Sequence, residues 1–151
     1  MITIEDLKKK QSEPSRLIGL DLGSKRIGIS IGDEKQSIAT PFKTINKTNT
    51  NELIAQLQEI ITEYNIKGII IGNPINMDGS LGRSAQSVND VSNNIDLAID
   101  VDVCLWDERL STVGAFNLSS QLDVNVSKRE KNIDQNAAAF ILQGAIDFLK
   151  N

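Results

Sequence analysis

Hydrophobic positions in the first third of the chain alternate with small or polar positions, a spacing that is typical of β-strands. Between residues 17 and 22, apolar side chains occupy one face and the other face includes an acidic residue, Asp21. After a polar turn, isoleucines recur at every second position from residue 27 to residue 32, so the two segments predict a β-hairpin. A third, weaker strand is predicted within residues 37 to 45, where Pro41 indicates an edge position or an interruption.

The period then changes from two residues to that of an α-helix. Apolar residues recur at helical spacing from residue 53 to residue 64, and again from residue 85 to residue 95. Each of these predicted helices precedes a continuous apolar run, KGIIIG at residues 67–72 or VDVCLW at residues 101–106, and a loop rich in Gly, Pro and Asn follows the first run. Such runs are typical of strands that are covered on both faces by crossover helices.

The last third of the chain is predicted to be helical. The motif DERLST, at residues 107–112, leads into a short predicted helix that ends at Leu118. A polar and basic stretch, NVSKREKN at residues 125–132, then precedes a final helix that is predicted from about Asp134 to Leu149.

This order of elements predicts an α/β fold with a mixed five-stranded sheet. An antiparallel hairpin begins the sheet, helix-linked parallel strands complete it, and helices cover both faces. With 151 residues, the chain is long enough for one sizeable core and too short for two ordinary domains. We expect an N-terminal extension over residues 1–15, which is polar and ends near Pro14, and one domain over residues 16–151.

Composition excludes several classes of chemistry. The chain has no histidine and one cysteine, which excludes imidazole-based triads, cysteine-cluster zinc sites and disulfide frameworks. The chain has a formal net charge of -4, whereas most nucleic-acid-binding proteins are basic. A local basic patch could still bind nucleic acid. No run is apolar for the roughly 18 residues of a membrane helix, and no signal peptide is visible, so we expect a cytoplasmic protein without a membrane partner.

Three acidic residues are placed where this topology can gather them: Asp21 in the first strand, Glu108 after the last strand and Asp134 at the final helix. Taken alone, Asp134 is typical of a helix cap and Glu108 of a solvated loop. Asp21 is different, because an unpaired buried carboxylate costs several kcal/mol. The glycines beside it, Gly19 and Gly23, are expected to leave room for a phosphate. Converging carboxylates without histidine favour Mg²⁺ or Mn²⁺, and a pair of such ions can activate a water for phosphodiester hydrolysis.

Four motifs in order resemble a known family. They are GLDLGSKRIGIS near the N-terminus, GNPINMDGSLG in the middle, DERLST after the last strand and IDQNAAAFILQ near the C-terminus. Together, and over residues 16 to 149, they resemble the YqgF family, also called RuvX. The resemblance implies an RNase H-like fold, and its members are described as Holliday junction resolvases and as nucleases that process the precursor of small-subunit ribosomal RNA.

The resemblance also implies a site. Asp21, Glu108 and Asp134 are then the catalytic residues and the metal ligands, with Asp107 as the alternative to Glu108, and the ion is Mg²⁺ or Mn²⁺. Asn73, Asp78 and Gly79 are expected to shape the same cleft. The candidate nucleic-acid-binding residues are basic: Lys25, Arg26, Arg83, Arg109, Lys128, Arg129 and Lys131.

The sequence therefore predicts a metal-dependent nuclease for structured nucleic acid, whose expected role is processing of the 5′ end of pre-16S rRNA. The first alternative is a Holliday junction resolvase, and the second is a non-catalytic nucleic-acid-binding module. An actin-like or sugar-kinase-like ATPase is disfavoured because such proteins need two domains around the nucleotide. Expected partners are pre-rRNA or a DNA junction, with ribosomal particles, and the chain is expected to act as a monomer or a homodimer.

Overall fold

The computed structural model describes residues 1–76, 78–110 and 126–151, and for residues 126–132 it describes the backbone alone. The strands are β1 Leu17–Leu22, β2 Arg26–Gly32, β3 Ala39–Asn46, β4 Gly68–Asn73 and β5 Asp102–Asp107. The helices are α1 Ile4–Lys10, α2 Thr50–Tyr64, α3 Arg83–Ala98 and α4 Val126–Lys150, and a 3₁₀ turn, Glu108–Leu110, follows β5.

The five strands form one mixed sheet in the order β3-β2-β1-β4-β5. The β1–β2 and β2–β3 pairs are antiparallel, whereas the β1–β4 and β4–β5 pairs are parallel. Pro41 lies in β3, which is at the edge of the sheet, and the register of β3 against β2 shifts between Ile29 and Ser30. The predicted sheet, with its hairpin start and its edge proline, is confirmed.

Helices cover both faces of the sheet, as the sequence predicts. On one face, α2 and α3 pack on alternate residues of β1 and β2, including Ile18 and Leu20, which are both fully buried. On the other face, α1 and α4 pack on Leu17 and Ile70, with Leu142 of α4 fully buried against them. Each such side chain contributes about 1.5 to 3 kcal/mol when it leaves water, so the two clusters fix which face of β1 carries Asp21.

Helix α4 lies unusually close to the sheet because glycines face it. A Cβ atom at Gly28 would lie 1.9 Å from the backbone oxygen of Asp134. A Cβ at Gly19 would lie 2.7 Å from the Cβ of Leu142. The hydroxyl of Ser30 also donates a hydrogen bond to the backbone oxygen of Ala138, at 2.7 Å. The expected free space beside Gly19 is therefore wrong, since α4 fills it.

The predicted start of the final helix is also wrong. Helix α4 begins at Val126, so Asp134 lies inside the helix and is not its cap. The basic residues Lys128, Arg129 and Lys131 lie in this helix and not in a loop before it. The physical reason is that Lys, Arg and Glu have straight side chains and are good helix formers, so a polar stretch need not be a loop. The short helix predicted up to Leu118 falls on residues 111–125, outside the described residues.

The N-terminal segment packs on the core through α1. Ile4 and Leu7 are buried in the same cluster as α4, and Thr3 caps α1 by accepting a hydrogen bond from the N–H of Asp6. Ile2 forms a parallel bridge with Cys104 of β5. Among the helices of the described residues, none is both long and apolar enough to cross a membrane.

Candidate active site

The site is built around Asp21, which lies near the C-terminal end of β1 on the face that α4 covers. Asp21 pairs with Gly28 of β2, over which the backbone of Asp134 passes. On its other side, β4 continues from Ile71, the partner of Leu20, to Gly72. A Cβ at Gly72 would lie 3.2 Å from the carboxyl carbon of Glu108, which therefore sits over this glycine. Two glycines thus make the space in which the helix and Glu108 flank Asp21.

Asp21 and Glu108 are half-buried carboxylates that repel neighbouring charges. Burial, together with the negative charge of Asp134, raises the pKa of Asp21 from 3.8 to about 6. Burial, together with the charges of Asp21 and Asp107, raises the pKa of Glu108 from 4.5 to about 7. Within the described part of the chain, neither carboxylate has a hydrogen-bond or ion-pair partner. A cation between them would relieve both the burial cost and the repulsion.

Asp134 forms an ion pair with Arg26. The Nε of Arg26 donates to its Oδ2 at 2.7 Å, and the Asp134 side chain is 17% exposed against 53% for Arg26. In the described residues, no three acidic, cysteine or histidine side chains lie close enough to hold one metal ion together. The structure thus brings Asp21 and Glu108 together, and it places Asp134 beside them with its carboxylate on Arg26.

Asp107 and Glu108 are adjacent but lie in different environments. Arg109 binds both carboxylate oxygens of Asp107 through its side chain, at 2.7 to 3.0 Å, and its backbone N–H donates to Asp107 Oδ1 at 3.0 Å. The side-chain hydrogen bond from Arg109 lowers the pKa of Asp107. β5 ends at Asp107, and the 3₁₀ turn then directs Glu108 towards Asp21. Asp107 is thus occupied by Arg109, whereas the carboxylate of Glu108 has no partner among the described residues.

The loop after β4 lies against Arg109 and is held together by short polar contacts. Asp78 accepts hydrogen bonds from the N–H and the hydroxyl of Ser80, and Gly79 has a φ of 87°, which favours glycine. Arg109 reaches the backbone oxygen of Asn76 at 3.5 Å. Asn73 is buried beside Asp107, and its Oδ1 has no partner in the described chain. The sequence did not predict the contact of Asn76 with Arg109, because no local pattern indicates it.

The predicted basic residues are distributed along one end of the molecule. Lys25 is exposed in the β1–β2 turn, Arg26 begins β2, and Arg83 is exposed at the start of α3. Lys128, Arg129 and Lys131 precede Asp134 in α4, where the structure describes only their backbone. The nucleic-acid-binding role of all seven basic residues stays a prediction.

Comparison with known proteins identifies relatives over the whole chain. The family model described as RuvX, Holliday junction resolvase, matches residues 15–148. A protein of Pelagibacter ubique (strain HTCC1062), named as a candidate pre-16S rRNA nuclease, is 78% identical over 151 residues, covering 100% of both chains. A protein of Chelativorans sp. (strain BNC1) with the same name is 42% identical, covering 99% of this chain and 94% of that one.

Two solved structures share the fold. Thermus thermophilus RuvC in complex with a Holliday junction substrate gives a TM-score of 0.54 at 9% identity, covering 84% of this chain and 91% of that chain. Fowlpox virus resolvase in complex with Holliday junction DNA gives a TM-score of 0.50 at 13% identity, covering 89% and 97%. At these identities the likeness concerns the fold, which confirms the predicted RNase H-like class. With the family model and the close relatives, the conclusion is that this chain belongs to the RuvX family.

Proposed function

We propose that this protein is a metal-dependent nuclease that hydrolyses phosphodiester bonds in structured nucleic acid, and that its substrate is the 5′ end of pre-16S rRNA. The RNA substrate rests on the names of its close relatives. The chemistry rests on one observation: Asp21 and Glu108 lie together, half-buried and without partners among the described residues, at the end of the sheet. Burying unpaired carboxylates destabilises the fold, and groups with such raised pKa values cluster at functional sites.

The donor set fits a hard divalent cation. Asp21 and Glu108 would hold Mg²⁺ or Mn²⁺ through carboxylate oxygens, and Asp134 would join them once it is released from Arg26. When bound, such an ion supplies a Lewis acid that lowers the pKa of water and neutralises charge on the phosphate.

The chain's own residues prepare the site in two ways. Burial raises the pKa of Glu108 to about 7, so its carboxylate would have to lose its proton to hold a cation, and cation binding would be linked to proton release. Arg26 holds Asp134 in the absence of substrate and is half-exposed, so a substrate phosphate can draw the guanidinium away from it. Substrate binding would therefore free the third carboxylate.

A Holliday junction resolvase is the second candidate. It is favoured by the family description and by the fold shared with two resolvases that were solved with junction DNA. A four-way junction has two-fold symmetry, so this activity would require two active sites related by a dimer axis. Trimming of one RNA end requires a single site.

Incubation of the protein with two substrates in parallel, a pre-16S rRNA and a synthetic four-way DNA junction, tests the proposal. With Mn²⁺ or Mg²⁺ we expect cleavage of the RNA near the mature 5′ end, and we expect EDTA to abolish it. Paired symmetric nicks in the junction, without RNA cleavage, would assign the resolvase activity instead. A protein that binds but cuts neither substrate would be a binding module.

A further inference from the structure

A pocket lies on the face of the sheet opposite to Asp21. It is formed where the end of β1 and the β1–β2 turn meet α3 and the end of β3, and its volume is about 240 Å³. One wall is apolar and consists of Leu22, Val88 and Val91. Leu22 follows Asp21 directly, and successive residues of a strand point to opposite faces, so the pocket and the carboxylates share the same end of β1.

Apart from Gly23, the remaining lining is polar or cationic, and it contains no acidic residue. Two cations, Lys47 and Arg83, and three serines, Ser24, Ser84 and Ser87, surround the apolar wall. This is unusual in a chain with a net charge of -4, whose acidic residues outnumber its basic ones by 20 to 16. The lining therefore selects for a ligand with a negative charge and an apolar surface of moderate size.

We propose that this pocket binds one nucleotide of the substrate strand, with the base against the apolar wall and the phosphate between Lys47 and Arg83. The inference rests on the proposed function, because a strand that crosses the end of β1 would place a neighbouring phosphodiester at Asp21. The base has an apolar face that fits Leu22, Val88 and Val91, while the serine hydroxyls can donate to or accept from its edge. A bare phosphate would leave the apolar wall in contact with water.

Arg83 was predicted from the sequence as a nucleic-acid-binding residue, but Lys47 was not. Lys47 lies directly after β3, and its backbone N–H donates to the oxygen of Lys25 in the β1–β2 turn, at 2.9 Å. This contact fixes the start of its side chain at the rim of the pocket. Lys47 is therefore the sharper test, since only the fold places it beside Arg83.

Binding can be measured without cleavage. We would record amide NMR spectra of the full chain in EDTA with adenosine 5′-monophosphate, with inorganic phosphate and with a single-stranded RNA decamer. The expected result is that the decamer and the mononucleotide both shift the amides of Ser24, Ser84 and Ser87, with the decamer bound at least tenfold more tightly. Equal binding of inorganic phosphate would overturn the proposal, and so would tight mononucleotide binding without strand binding.

Two variants separate the pocket from general electrostatics. Lys47→Ala should weaken decamer binding about tenfold. It should also reduce the magnitude of the slope of log K against log salt concentration by about 0.7, because one phosphate contact is lost. The matched control is Lys35→Ala, an exposed lysine in the β2–β3 turn with the same change of charge, for which we expect neither effect. Equal effects of both variants would contradict the pocket.

The second variant, Ser87→Trp, fills the pocket without a change of charge. It should abolish the mononucleotide shifts while Mn²⁺ binding at the carboxylates and the thermal unfolding temperature stay unchanged. If Ser87→Trp still binds both ligands as the wild type does, the pocket is not the site. Cleavage by the wild-type protein is measured separately. If the wild type cleaves RNA but no ligand shifts the pocket amides, the pocket alone is rejected, whereas a wild type that cleaves neither substrate rejects the proposed function.

Discussion

At the scale of single residues, the site is a set of carboxylates in two different states. Asp107 is paired with Arg109, Asp134 is paired with Arg26, and Asp21 and Glu108 carry raised pKa values. Each state follows from what lies within hydrogen-bond distance and from how far the group is from water. The chemistry of the site therefore depends on which carboxylates keep their own cation and which are free to take another.

The raised pKa values predict how stability depends on pH in the cation-free protein. Because Asp21 and Glu108 titrate at about 6 and about 7 when folded, against 3.8 and 4.5, the folded state binds more protons than the unfolded state in between. The free energy of unfolding should therefore fall as pH rises from about 4 to about 7, by on the order of 1 to 3 kcal/mol, and level off above.

Urea denaturation in EDTA at pH 5 and pH 8 measures this change. Glu108→Gln should be more stable than wild type at pH 8, because its amide has no charge to bury. Its free energy of unfolding should also fall less than that of the wild type between pH 5 and pH 8. Asp100→Asn, an exposed residue at the opposite end of the sheet, is the control and should follow the wild-type curve. A Glu108→Gln variant with the full wild-type decline would show that Glu108 is not buried as described.

The Arg26–Asp134 pair predicts that loss of Arg26 strengthens metal binding and weakens nucleic-acid binding. Arg26→Gln frees the carboxylate of Asp134, so calorimetry without nucleic acid should show tighter Mn²⁺ binding, by several-fold, while substrate binding weakens. Lys25→Gln is the matched control, since it removes the same charge from an exposed neighbour that has no ion pair with Asp134. If both variants bind Mn²⁺ alike, the effect is general electrostatics and the pair has no gating role.

At the scale of elements, the position of α4 on the sheet decides where Asp134 lies. The helix approaches β2 so closely that Gly28 is the residue that permits it, with no space for a Cβ below the backbone of Asp134. The same helix meets β4 at Gly72, where a Cβ would lie 2.4 Å from the Cδ1 of Ile141. A flexible side chain can move away from such contact, whereas a helix backbone cannot without displacing the helix.

Gly28→Ala should therefore destabilise the protein by about 3 kcal/mol or more, at the upper end of the cost of overpacking a core. Chemical denaturation measures this, and Gly82→Ala, whose Cβ would lie no closer than 3.4 Å to a neighbour, is the control with a much smaller expected cost. A Gly28→Ala variant as stable as wild type would mean that α4 does not lie on β2 as described.

The elements also show what a sequence can and cannot predict here. The alternation in β1 placed Asp21 on the face away from Ile18 and Leu20, because period two in a strand is a local property. The start of α4 was wrong because a polar helix and a polar loop have similar composition. The contacts of Arg26 with Asp134 and of Arg109 with Asn76 join residues 108 and 33 positions apart, so no local pattern carries them.

At the scale of the whole molecule, chemistry is concentrated at one end of the sheet. The C-terminal ends of the parallel strands β1, β4 and β5 carry Asp21, Asn73 and the turn with Glu108, as expected where parallel strands end together. The opposite end carries ion pairs with a structural role, including Lys10 with Asp102 at 2.8 Å. Because the chain has a net charge of -4, nucleic-acid binding requires basic side chains that are clustered at one place. Four basic residues lie at this end: Lys25, Arg26, Lys47 and Arg83.

The most direct test of the central claim compares two variants with the same change of charge, Asp21→Asn and Asp100→Asn, in Mn²⁺-dependent cleavage of pre-16S rRNA. We predict that Asp100→Asn cleaves as the wild type does and that Asp21→Asn loses at least about a hundredfold of the rate, with its fold intact by circular dichroism. Cleavage by Asp21→Asn at the wild-type rate would contradict the account, because Asp21 and Glu108 would then not form the catalytic site.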